Sequence, residues 1–123
     1  MLASHPVMAF VATRNAEAAR RFYADTLGLR LVSDEPWAIV FDAAGTVLRI
    51  QKVEAFTPHP FTALGWNVRD IEAAVAELAN RDVHFERYPG LDQDERGIWR
   101  APGGGHVAWF KDPDGNTLSL TQF

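Results

Sequence analysis

The sequence predicts an α+β fold made of two tandem βαβββ modules, and three observations carry that expectation. Residues 8–31 lie over residues 63–86 at an offset of 55, with Arg14, Glu17, Ala18 and Ala19 matching Arg69, Glu72, Ala73 and Ala74. GTVLRI at 45–50 lies over GNTLSL at 115–120 at an offset of 70, so the added length falls in one loop. Within each half the apolar period changes in the same order, from strand-like to helical and back to strand-like. The 123 residues therefore read as one domain with modules at approximately 6–54 and 60–123. A module this small with a single helix buries too little surface to stand comfortably alone, so the two are expected to depend on each other.

The elements follow in order. PVMAFVAT at 6–13 and FTALGWNV at 61–68 are rich in β-formers and read as the first strand of each module. Asn15 and Asp70 are N-cap candidates, because their short oxygen-bearing side chains can accept a bond from an unpaired amide of the first turn. The helices they open place Ala18 and Phe22, or Ile71, Ala74, Val75 and Leu78, on one face. Gly28 is expected to stop the first helix, and Asn80 to Asp82 the second. Strands are expected at 29–33, 37–42 and 46–53, then at 83–88, 106–111 and 117–123. Asp42 to Gly45 and Asp112 to Gly115 read as hairpin turns.

Composition narrows the function classes. Apolar residues make up 47% and aromatic residues 11%, too much buriable surface for a disordered chain. There is no cysteine, which excludes disulfides, thiolate metal sites, iron–sulfur clusters and a cysteine nucleophile. A formal charge of −4 provides no global positive field for nucleic acid or anionic lipid. The start MLASHPVMAF lacks a basic n-region, and no apolar run is long enough for a membrane helix. A cytoplasmic protein with a small-molecule partner, and neither nucleic acid nor membrane, is the expectation.

FYADTLGL at 22–29 and FKDPDGNTLSL at 110–120, in this order and on an internal repeat, resemble the vicinal oxygen chelate superfamily of glyoxalases, bleomycin-resistance proteins and dioxygenases. The similarity runs from Pro6 to Phe123, and its second half is similar to uncharacterised glyoxalase-like members. It implies a curved, cup-shaped mixed sheet with helices on the outside, and a homodimer. Fold alone leaves the activity open. Read without the resemblance, the Asp112 to Asn116 run is a tight turn, and Phe22, Tyr23, Leu27 and Leu29 are core.

Metal-dependent members of that superfamily carry one ligand on the first and one on the last strand of each module. The resemblance maps those places onto Met8, Arg49, Ala63 and Ser119. A thioether, a guanidinium, a methyl group and a hydroxyl are no donor set for a divalent ion. The histidines, His5, His59, His84 and His106, show no HxH or HxxxH spacing. No GxSxG elbow or P-loop occurs, and PGGGH at 102–106 reads as a flexible loop. Neither a metal nor another cofactor is expected.

Alternation places Met8, Phe10 and Ala12 on the face away from the helix, with Arg49, Gln51, Ala63, Asn67, Trp109, Ser119 and Thr121. This lining is apolar and aromatic with few polar groups, which suits a small-molecule pocket or a filled core. Arg49 either anchors an anionic ligand or forms an internal ion pair with Asp42 or Glu54. Trp99 lies in the charged, glycine-rich segment 89–105, where it could close over a ligand, meet a dimer partner or simply anchor the loop. The leading expectation is metal-independent small-molecule binding. The alternatives are a metal-dependent lyase or dioxygenase with atypical ligands and a metal-free enzyme with Arg49 as electrophile.

Overall fold

The computed structural model describes all 123 residues and divides into two compact units, Met1–Pro58 and His59–Phe123. Each unit carries one four-stranded mixed sheet and one α-helix, an α+β fold of two modules. No helix is long and apolar enough to cross a membrane.

In the first unit the order is β1 (Met8–Thr13), α1 (Ala16–Arg21), β2 (Arg30–Asp34), β3 (Ala38–Ala43) and β4 (Thr46–Lys52), after a short 3-10 turn at Leu2–Ser4. The strands lie in the order β1-β4-β3-β2, with β1 parallel to β4 and the other pairs antiparallel. Asn15 caps α1 by accepting from the Ala18 amide. The helix then widens into a π-turn over Phe22–Thr26, closed by the Leu27 amide on the Phe22 carbonyl, before Gly28 reverses the chain at φ 76°. That wider turn follows a helix of only six residues, and it brings Tyr23 fully into the core, 6.1 Å from the Phe41 ring. Val11, Ile39, Phe41, Leu48 and Ile50 complete the buried layer on this face. Each contributes roughly 1.5 to 3 kcal/mol relative to exposure.

The second unit holds β5 (Thr62–Asn67), α2 (Ile71–Asn80), β6 (Trp99–Arg100), β7 (His106–Lys111) and β8 (Thr117–Gln122), in the sheet order β5-β8-β7-β6. Asp70 caps α2 through the Ala73 amide, and Asp82 ends it in the left-handed region at φ 65°, the place a glycine usually takes. Ile71 and Val75 of the helix, with Phe110, Leu118 and Ala108 of the sheet, form its core.

Two expectations are corrected in this unit. Residues 83–88 do not form a strand; only Phe85 bridges Phe110. The cause is Gln93, whose side chain accepts from the Tyr88 amide and donates to the Glu86 and Gly97 carbonyls, so an amide side chain takes the bonds that a ladder partner would make. Trp99, expected in a lid-like loop, instead begins the edge strand β6, pairing with Val107. The PGGGH segment is correspondingly the tight connection between β6 and β7, closed by bonds between Ala101 and Gly105 and between Gly104 and Ala101.

The turn before β8 is held by one buried carboxylate. Asp112, 5% exposed, accepts from the Asp114 and Asn116 amides at 2.9 Å and from Asn116 Nδ2 at 2.8 Å. Its removal strands three buried donors at once. Asp112→Ala is expected to lower unfolding stability by about 3 kcal/mol in urea titrations. A loss within about 0.5 kcal/mol would show that water replaces the carboxylate.

Candidate functional site

The two offsets seen in the sequence reappear as strand register. In the first unit Phe10 pairs with Arg49 and Ala12 with Gln51; in the second Gly65 pairs with Ser119 and Asn67 with Thr121. Because side chains alternate, all of these project from the sheet face opposite the helix.

On the first sheet this face is apolar around one cation. Met8 is 46% and Phe10 53% exposed, while Arg49 is half-buried between Phe10 on one side and Val40 on the other. Arg49 makes no ion pair. Asp42, one candidate partner, is engaged by Arg30 at 3.6 Å and by the Gly45 amide at 3.1 Å, and no ion pair involves Glu54. The other cations of the unit are better satisfied: Arg20 and Lys52 clamp Asp34 at 2.9 and 2.7 Å. The Lys52 bond first, then that of Arg20, holds the Asp34 carboxyl below the usual carboxylate range.

On the second sheet the same face is aromatic. Trp109 meets Tyr88 edge to face at 5.4 Å and lies 6.1 Å from Trp99, with all three half-buried. Trp99, missed as a strand residue, reaches this cluster because its pairing with Val107 sets its side chain on the Trp109 face. Glu86 and Lys111 pair at 3.4 Å beside it. Burial, and then the Glu86 charge, push the Tyr88 phenol above its ordinary value against the opposing pull of Lys111. In the neighbouring loop, burial alone would raise Asp94, but bonds from the Ile98 and Arg96 amides and from Arg100 outweigh it and leave its carboxyl lowered.

Ala63 departs from the expected alternation. Thr62 pairs with Thr117 and Leu64 with Leu118, so Ala63 is the extra residue of a bulge and has no register partner. Two positions on, a Cβ built on Gly65 would lie 2.5 Å from Ser119 Oγ. Glycine is therefore what lets the Ser119 hydroxyl occupy this face.

Met8, Arg49, Ala63 and Ser119 do not fit a divalent metal in charge or donor type, and no group of three or more histidine, aspartate or glutamate side chains is arranged to hold one. His84 stands clear of any strand and His106 opens β7, so neither joins a cluster of ligands.

These features define a two-module α+β protein with one four-stranded mixed sheet and one helix in each unit. Residues 4–120 match the Glyoxalase/Bleomycin resistance protein/Dioxygenase superfamily, and the chain belongs to that family. Among solved structures, a member of the same superfamily from Sphaerobacter thermophilus is 25% identical, with a TM-score of 0.77 and full coverage of both chains. A lactoylglutathione lyase from Agrobacterium tumefaciens is 17% identical at TM-score 0.71, covering 96% of this chain and 93% of that one. A fosfomycin resistance protein from Listeria monocytogenes is 12% identical at TM-score 0.75, covering 98% and 93%. The last two likenesses are of fold alone. No curated protein matches the chain.

Gly65→Ala is expected to destabilise the protein by about 1 to 2 kcal/mol, because Ser119 Oγ must move. Adding Ser119→Ala should return thermal stability to the wild-type level or above, since alanine costs less backbone entropy than glycine in a strand. No recovery in the double variant would place the strain elsewhere. Ultraviolet titration should show a phenol transition above the ordinary tyrosine value that is lost in Tyr88→Phe. Glu86→Gln should move that transition downward; an upward move would refute the assigned cause.

Proposed function

We propose that this protein binds a small organic anion without a metal ion, with Arg49 supplying the positive charge. The observation that carries this reading is a half-buried guanidinium with no carboxylate partner, set between Phe10 and Val40 on the sheet face opposite the helix. Holding a charged group partly out of water is costly unless something compensates it. A carboxylate or phosphate matches the fork of guanidinium donors, and Phe10 and Met8 offer apolar contact to the rest of such a ligand.

Family membership supports binding of small molecules on these sheet faces, and it leaves the chemistry open. The donor set supports metal independence, because Arg49 stands where a metal-dependent relative keeps a ligand and repels a cation there. Within the second unit by itself, the Tyr88, Trp99 and Trp109 face is a surface on which flat apolar groups stack. The proposal includes a homodimer: the first unit leaves Val32 and Trp37 more than half exposed, apolar surface that a second copy would cover.

The test is a tryptophan-fluorescence screen of small carboxylates and phosphates, each beside its neutral amide or alcohol. Arg49→Met is expected to weaken the anionic hits about tenfold or more without lowering thermal stability. Stripping with chelator and adding back zinc, nickel, manganese or iron should change neither affinity nor melting temperature. Equal binding by wild type and Arg49→Met, or affinity restored only by a metal, would overturn the reading.

A further inference from the structure

We propose a second anion-binding site, unconnected with Arg49, in a hollow of about 450 Å³ in the second unit, between α2, residues 83–87 and residues 95–96. Its size lies within the usual range of small-ligand pockets. The hollow belongs to the helix-bearing face of the second sheet, because Phe85 lines it and packs against Phe110 at 5.6 Å. Trp109 and Ser119 project from the opposite face of that sheet. This inference therefore does not rest on the function proposed above.

The floor is apolar: Val75 and Val83 are buried, and Phe85 is half-buried. The rim is charged. Arg87 donates to the Asp94 backbone carbonyl at 2.6 Å, and Arg96 donates to the Glu72 carbonyl at 3.4 Å. Neither guanidinium pairs with a carboxylate, although the chain carries 16 acidic residues. Arg20, Arg21, Arg30, Arg81 and Arg100 each do. A guanidinium has five donors, so one backbone bond leaves most of its fork available. Glu95 is the one carboxylate on the rim and pairs with neither arginine. Two unneutralised forks over an apolar floor suit a compact amphipathic anion, with its carboxylate or phosphate at the rim and its hydrocarbon body on Val75, Val83 and Phe85.

The experiment is a backbone-amide NMR titration of the full chain with benzoate, phenyl phosphate, inorganic phosphate and the neutral benzamide. Benzoate and phenyl phosphate are expected to shift Val75, Ala76, Ala79, Val83 and Phe85. Benzamide should shift them little, for want of charge, and inorganic phosphate weakly, for want of an apolar body. Arg87→Gln with Arg96→Gln should weaken benzoate about tenfold. If the double variant loses its dispersed spectrum, Arg96→Gln alone should weaken binding severalfold and Glu95→Gln strengthen it. The inference is overturned if benzamide matches benzoate, if these amides stay unmoved, or if the arginine variants bind as wild type. Shifts confined to Phe10, Val40 and Arg49 would support the proposed function and reject this second site.

Discussion

The parallel contact between the first and last strands of each module, β1 with β4 and β5 with β8, governs most of what else the chain does. Parallel strands cannot be joined by a tight turn, so the intervening chain must cross over. The helix makes that crossing and covers one sheet face with Tyr23 in the first unit and Val75 in the second. The opposite face receives no helix from its own module. The same contact fixes which residues meet there: Phe10 with Arg49, and Gly65 with Ser119.

Several of the molecule's cations differ in what holds them. Arg20 and Lys52 are spent on Asp34, and Arg30 on Asp42, which leaves them as surface clamps of modest worth. Arg49, Arg87 and Arg96 are held without a carboxylate, the first by strand register and the other two by backbone carbonyls. Turns do the opposite work. Asp112 spends its carboxylate on its own loop, fixing the entry to β8 and thereby the height at which Ser119 meets Gly65.

Much of the fold was legible because its signals are local. Asn15 and Asp70 cap their helices as their side-chain chemistry predicts, and Gly28, Gly45 and Gly115 take the positive φ that turns require. Residues 83–88 misled because their β-forming composition is real. What replaces the ladder is Gln93, whose bonds to Tyr88, Glu86 and Gly97 depend on the loop closing back on itself. Trp99 was missed for the converse reason: a two-residue strand between charged and glycine-rich stretches has no periodicity to detect.

For the candidate site, the sequence determined residue type and face. The repeat placed Arg49 at the counterpart of Ser119, and alternation put both on the side away from the helices, since the strand period depends only on local backbone geometry. Tertiary structure decided the partners. Whether Asp42 would neutralise Arg49 or Arg30 depends on side-chain reach across the strands, which no spacing along the chain encodes. The bulge at Ala63, the gathering of Tyr88 and Trp99 around Trp109, and the hollow beneath Arg87 and Arg96 likewise exist only after distant segments meet.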